Sequence, residues 1–190
     1  MRLSITLGTI AACLLLSACG EEQAAMPAPF ALTEEAMGRY CGMNVLEHAG
    51  PKGQIILEQI PEAIWFSSAR DTLAFTMLPE EPRDIAAIYV SDMGKATSWE
   101  APGAHNWIDA RKAVFVIESK RRGGMGTQEA VPFSRESDAK AFADKNGGRL
   151  VTFDDMPQDY ILGSGDAPGL DGSVPDPELT GEDAKENDHG

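Results

Sequence analysis

A weak internal repeat with a constant offset of 67 residues constrains the fold of this chain more than any other feature. A strand-like run, at residues 54–58 and 113–118, precedes each copy. The copies read Ala63-Ile64-Trp65-Phe66-Ser67 with Asp71 and Ala74-Phe75, and Ala130-Val131-Pro132-Phe133-Ser134 with Asp138 and Ala141-Phe142. Each copy therefore predicts the order strand, strand, helix.

We predict an α+β fold of two similar ββα half-domains packed together, spanning residues 37–105 and 106–162. Ser67 and Ser134 stand where helix N-caps are expected, and the Ala-Phe pair of each helix is expected to face inward. Residues 85–91 are predicted to be a strand that links the halves, and residues 149–153 a further strand. Because a small sheet must bury one face, neither half is expected to be stable alone.

The first 18 residues have the pattern of a lipoprotein signal peptide. Arg2 precedes an uncharged apolar run over residues 5–16, which is too short to span a bilayer as a helix. The run ends in Leu16-Ser17-Ala18-Cys19, which resembles a bacterial lipobox, so we expect Cys19 to carry acyl chains that hold the protein at a membrane. An ordinary signal peptide cleaved near Ala18 is the alternative. The residue after the cysteine is Gly20 and not an aspartate, so resemblance to sorted lipoproteins implies the periplasmic face of the outer membrane.

Both ends of the mature chain are expected to lie outside the folded core. Residues 19–36 contain proline and alanine with little periodicity, which is typical of a tether. Residues 163–190 hold eight acidic side chains against Lys185 alone, and such a segment is expected to be disordered. The chain has a formal net charge of −14, and this acidity argues against nucleic acid as a partner.

The cysteine count leaves a single thiol in the exported chain. Of the three cysteines, Cys13 leaves with the signal peptide and Cys19 is expected to be acylated, so Cys41 has no intramolecular partner. A lone cysteine in an oxidising compartment can form an intermolecular bridge, act as a reactive thiol or bind a metal. Simple burial in the core is the fourth possibility.

Met43 favours metal binding among these possibilities. In an extended segment Cys41 and Met43 would project from the same face, about 7 Å apart. A thiolate and a thioether select Cu(I) over the harder ions of the cell envelope, whereas core packing of both side chains is the alternative.

Two residues elsewhere could complete a copper site. Met125 lies in the loop Arg122-Gly123-Gly124-Met125-Gly126, where it has no evident core to fill, although it could simply be exposed or cover a cleft. His48 precedes the turn Gly50-Pro51 and could offer a neutral imidazole, with a satisfied or solvated surface histidine as the alternative. The methionines at positions 37, 77, 93 and 156 are predicted in the core or at its edge.

An ordered set of motifs over residues 37–157 resembles the NosL family, the lipoprotein accessory factors of nitrous oxide reductase. Besides the lipobox, the set consists of Cys41-Gly42-Met43, Gly50-Pro51, residues 85–92, Trp107-Ile108-Asp109-Ala110, Gly124-Met125-Gly126, Ala141-Phe142-Ala143 and Gly147-Gly148. The resemblance implies two related ββα half-domains and a periplasmic lipoprotein with Cu(I) ligands at Cys41, Met43 and Met125. It departs at Gly124, where the family often has proline.

The resemblance also implies a function and partners. We expect a metallochaperone, not an enzyme, that supplies copper for the copper centres of nitrous oxide reductase. Its partners would be the reductase, the membrane-bound maturation complex of the reductase and the membrane itself, and the chain is expected to be a monomer. One alternative is a thiol-dependent enzyme with Cys41 as nucleophile, which would need a base near the thiol. The other is a scaffolding lipoprotein whose acidic tail recruits a partner.

Overall fold

A computed structural model describes residues 25–163. The predicted signal peptide, the predicted lipid attachment at Cys19 and all of the predicted acidic tail except Gly163 lie outside these residues. The elements are β1 (Gly53–Leu57), β2 (Ile64–Phe66), α1 (Ala69–Met77), β3 (Ile85–Ser91), β4 (Trp107–Asp109), β5 (Val114–Ile117), β6 (Val131–Phe133), α2 (Glu136–Asn146), β7 (Arg149–Thr152) and α3 (Gln158–Leu162). Within the described part of the chain, no helix has the length and apolar character needed to cross a bilayer.

The strands form two antiparallel sheets with matching connectivity. The first sheet has the order β2-β1-β3-β4 and the second the order β6-β5-β7. In each, a hairpin is followed by a helix, and the next strand returns to pair with the first strand of the hairpin. The α+β class is confirmed, but the repeating unit is ββαβ. The strand β3, which the sequence predicted to link the halves, is the counterpart of β7.

The folded part of the first half extends beyond both of its predicted boundaries. The strand β4 lies after residue 105 yet pairs with β3, with Ile108 opposite Val90. Residues 19–36 were predicted to be a tether, but Leu32 and Ala36 are buried in a small cluster with Val45. The N–H of Leu32 also donates to the carbonyl of Ala104 over 2.9 Å, so residues 32–36 of this segment belong to the fold.

The helices begin one residue later than the sequence predicted. Ser68 caps α1, because its hydroxyl accepts a hydrogen bond from the N–H of Asp71 over 3.3 Å. Arg135 holds the equivalent position before α2 and makes no side-chain cap. Ala141 was predicted to face inward, but it is exposed. The helix α2 packs on the outer side of the second sheet, whereas α1 is covered by both halves.

One hydrophobic core joins the two halves. Its buried side chains include Ile55, Phe66, Leu73, Phe75 and Ile88 from the first half, and Phe115, Ile117, Val151 and Ile161 from the second. Along β5, Phe115 and Ile117 face this shared core, while Val116 between them faces a smaller cluster under α2. The central strand of the second sheet therefore packs on both sides and fixes the two halves to each other.

This shared core predicts that the halves unfold together. Phe115→Ala is expected to lower the free energy of unfolding by about 3–5 kcal/mol, because it removes a fully buried aromatic ring. Denaturant unfolding followed by far-ultraviolet circular dichroism and tryptophan fluorescence should give one coincident transition. Phe142→Ala, which truncates a half-buried ring of α2 itself, is the matched control with a smaller loss. Two separate transitions would contradict the shared core.

Candidate metal centre

Cys41 and Met43 lie on a tight hairpin, not on the extended strand that the sequence suggested. Met37 pairs with Asn44, and the N–H of Gly38 donates to the carbonyl of Met43 over 2.9 Å. Gly42 has a φ of +65°, which glycine adopts without steric cost, and its N–H closes the turn on Gly38. Both sulfur residues therefore still lie on one short loop, although not as alternate residues of a strand.

The thiol of Cys41 folds back into this hairpin. Its Sγ lies 3.1 Å from the hydroxyl oxygen of Ser67, and the side chain is half-buried. A Cβ at Gly38 would lie 2.5 Å from that sulfur, so only glycine leaves room for the thiol. Ser67, which the sequence predicted to cap a helix, contacts Cys41 instead. Met43 is exposed.

Met125 lies at the tip of a glycine-rich loop between β5 and β6. Arg122 pairs with Gln128, the N–H of Gly126 donates to the carbonyl of Gly123 over 2.9 Å, and Met125 is 50% exposed. The loop tip rests on the first half of the chain: a Cβ at Gly124 would lie 2.6 Å from the amide nitrogen of Ala49 and 2.7 Å from Cβ of His48. Gly124 thus allows the methionine loop to approach the segment that follows the Cys41 hairpin.

His48 lies in the segment that follows the Cys41 hairpin, where the tip of the Met125 loop rests on it. Its ring is half-buried, and Nε2 is buried without a hydrogen-bond partner. A buried ring nitrogen without a partner is costly, so His48 is neither a solvated surface histidine nor one whose hydrogen bonds are all satisfied. This keeps His48 as a candidate ligand. The structure therefore brings His48 to the Met125 loop through Gly124, and Cys41 and Met43 together through their shared hairpin.

Lys52 ties the His48 segment to the residues around Cys41. It is fully buried, and its ammonium donates to the carbonyl of His48 and, over 3.4 Å, to the carbonyl of Ser67. Burial lowers the pKa of Lys52 to about 8, and the nearby Glu129 and Cys41 partly oppose this shift. The ammonium of Lys52 and the thiol of Cys41 thus both contact Ser67, the first through the backbone carbonyl and the second through the hydroxyl.

Glu129 is the second fully buried ionisable residue near the centre. One carboxylate oxygen, Oε1, accepts hydrogen bonds from the hydroxyl of Ser68 and from the N–H groups of Arg70 and Ala130. The other, Oε2, is buried without a partner and lies against Gly123 of the methionine loop. Burial raises the pKa of Glu129 to about 7.

Sequence reasoning missed these buried groups and placed one methionine wrongly. Lys52 follows Gly50-Pro51 and Glu129 precedes the second repeat, and neither position differs in pattern from a surface charge. Met37 was predicted in the core or at its edge, but it is exposed on the same hairpin as Cys41. Lys52 and Glu129 become buried only when both halves are folded, so their neighbours in the sequence could not identify them.

The donor set of this centre is soft. Its candidate donors are the Cys41 thiol and Met43 thioether on one hairpin, the Met125 thioether on the loop that rests on His48, and the imidazole nitrogen of His48. Across residues 25–163, no group of three or more histidine, cysteine and acidic side chains could hold a metal. Sulfur and imidazole donors suit a soft ion such as copper, whereas calcium and magnesium prefer sets of oxygen donors.

The structure is thus an α+β protein of two ββαβ units, with sulfur side chains on the hairpin before the first unit and on a loop of the second. The sequence model of the NosL family matches residues 29–161, and the chain belongs to that family.

Relatives of the chain share most of its length. It is 46% identical over 164 residues to the copper-binding lipoprotein NosL of Achromobacter cycloclastes, covering 85% of each chain. It is 35% identical over 156 residues to the protein of that name from Stutzerimonas stutzeri, covering 80% of each. The crystal structure of the copper chaperone NosL from Shewanella denitrificans matches with a TM-score of 0.65 and 34% identity, covering 70% of this chain and 97% of that one.

The buried carboxyl group of Glu129 predicts a pH-dependent stability. The pKa is 4.5 when the group is exposed and about 7 in the fold, so between these values the folded state keeps a proton that the unfolded state has lost. The contribution of Glu129 to the free energy of unfolding is therefore full below pH 4.5. It is lost as the pH rises toward 7, by up to roughly 3 kcal/mol. Glu129→Gln, which keeps the shape and cannot ionise, should remove this component. Denaturant unfolding at pH 5 and pH 7 measures it, and equal pH dependence in both proteins would contradict the assignment.

Proposed function

We propose that this protein is a Cu(I) metallochaperone that supplies copper for assembly of the copper centres of nitrous oxide reductase. The observation that carries the proposal is the meeting of the Met125 loop with His48, next to the hairpin that holds Cys41 and Met43. The names of its relatives, copper-binding lipoproteins and a copper chaperone, support copper as the cargo. The reductase is proposed from the family resemblance.

The chemistry proposed for the centre is binding and transfer of the metal ion without covalent catalysis. Cys41 binds as a thiolate, so copper displaces its proton and affinity falls as the pH drops. Met43 and Met125 add neutral thioethers, and both are exposed, which leaves the metal open to a ligand of the acceptor. His48 supplies a neutral nitrogen from the buried side.

The location and partners are also part of the proposal. Acyl chains on Cys19 anchor the protein to the periplasmic face of a bacterial membrane, for which the outer membrane is favoured by Gly20. The protein acts as a monomer on nitrous oxide reductase and its membrane-bound maturation complex, and it does not bind nucleic acid. The lipoprotein names of the relatives support the anchor.

One observation favours a second candidate function. Lys52, with a pKa lowered to about 8, contacts the backbone of Ser67, whose hydroxyl contacts the Cys41 thiol. A base near the thiol is what a nucleophilic cysteine enzyme needs. Both hydrogen bonds described for its ammonium, however, go to backbone carbonyls. An enzyme of this class would be alkylated rapidly at Cys41 and would retain its activity when Met125 is replaced.

An anaerobic competition titration with a chromophoric Cu(I) chelator tests the copper proposal. The mature chain is expected to hold one equivalent, and Cys41→Ser is expected to weaken binding most, because it removes the thiolate. Met43→Leu and Met125→Leu should each weaken it by a smaller factor. Met26→Leu is the matched control, since Met26 is as exposed as Met43, at 43%, but lies outside both loops. A chain that does not compete with the chelator would contradict the proposal.

Gly124 offers a separate test of the loop contact. Gly124→Ala places a methyl group against the backbone of Ala49 and against His48, so it should lift the Met125 loop and weaken copper binding about as much as Met125→Leu does. Gly126→Ala is the control from the same loop, because a Cβ there meets no atom within 4 Å, although its φ of +77° adds local strain. Copper affinity that is unchanged in Gly124→Ala would show that Met125 does not act from this loop position.

A further inference from the structure

An apolar cleft of about 820 Å³ lies on the first half of the molecule. Its walls are the N-terminal residues 25–28 and Phe30, the end of β1 with the following loop (56–61) and the start of β3 (85–86). Met26, Phe30 and Ile60 line the cleft and are also exposed. Apolar side chains exposed together around a cleft are typical of a contact surface for an apolar partner.

The N-terminal wall of the cleft is held by hydrogen bonds. The side-chain amide of Gln54 exchanges two hydrogen bonds with the backbone of Phe30, over 2.8 and 2.9 Å, and the hydroxyl of Tyr89 donates to the carbonyl of Pro27. From Ala25 the chain leads back to Cys19, only six residues away. Because an extended chain spans at most about 3.6 Å per residue, the Ala25 end of the cleft lies within about 22 Å of any lipid on Cys19.

The cleft and the metal centre lie at opposite ends of the first sheet. The strand β1 runs from Gly53, beside Lys52 at the metal centre, to Leu57 in the cleft wall. The strand β3 runs the other way, from Ile85 in the wall to Ser91, whose N–H donates to the carbonyl of Lys52 over 3.0 Å. Five residues of strand separate the two ends by about 17 Å.

We infer that this cleft is a membrane-docking surface that contacts the acyl chains of the phospholipid bilayer. The inference rests on the lipid anchor in the proposed function. A short tether holds the cleft next to the bilayer, and its lining is apolar apart from Glu58 and Gln59. Because Glu58 is acidic, the docking uses apolar contact and not attraction to anionic headgroups. Docking turns the sulfur loops away from the membrane, toward aqueous partners.

Spin-label accessibility on the full lipidated protein in zwitterionic phosphatidylcholine vesicles tests this orientation. In a Cys41→Ser background an engineered cysteine is the one labelled thiol of the mature chain, because Cys19 is acylated. Labels are placed at Ile60→Cys in the cleft and at Leu46→Cys beside the metal centre, whose native side chains are 43% and 46% exposed. Met26→Cys is the second cleft position in case one variant fails to fold. Collision rates with oxygen, which enters bilayers, and with a water-soluble nickel chelate are compared.

The expected result is an oxygen-to-nickel accessibility ratio several-fold higher at the cleft labels than at Leu46→Cys. Equal ratios in protein that floats with the vesicles would overturn the docking surface while leaving the anchor intact. A second copy of the chain in the cleft would give low accessibility to both reagents and a spectrum broadened by spin–spin interaction, which narrows on dilution with unlabelled protein. That result would overturn the inference. If the protein does not float with the vesicles at all, the lipid anchor is not attached to the bilayer, and the inference that rests on it is overturned. Copper binding, measured separately, is independent of all these outcomes.

Discussion

The position of the proposed copper centre depends on the hydrogen bonds that Glu129 makes across the two halves. Its Oε1 accepts from the hydroxyl of Ser68 and the N–H of Arg70, so a residue of the second half completes the first turn of α1. The same helix start holds Ser67 against the Cys41 thiol. Because Met125 precedes Glu129 by four residues, both sulfur loops are positioned from one helix terminus. A carboxylate buried here would be costly without these donors.

The proposed centre has buried charged residues on its inner side and exposed sulfur side chains on its outer side. Lys52 and Glu129 are fully buried and engage backbone groups, which fixes where the loops begin. The thioethers of Met43 and Met125 are exposed, and the Cys41 thiol is only half-buried. A carrier must hold its ion without enclosing it, and a resident cofactor site would be expected to bury its donors. This contrast is consistent with transfer as the proposed task of the centre.

Local patterns predicted the fold class and most elements, because strand alternation and helix signals are written in neighbouring residues. They missed the role of β3, since a strand's partners depend on which sheet it joins and not on its own residues. Cys41 and Met43 were found as a pair, but Gly42 made their segment a turn. Lys52 and Glu129 could not be recognised, because a charged side chain becomes buried only when both halves pack together.

X-ray absorption at the copper edge of the Cu(I)-loaded protein tests the central claim, that sulfur atoms from both halves bind the same ion. We predict a first shell dominated by sulfur with one light scatterer from His48, and the loss of one sulfur scatterer in Met125→Leu. An unchanged sulfur count in Met125→Leu, or a shell made mainly of nitrogen and oxygen, would contradict a copper site that spans the two halves.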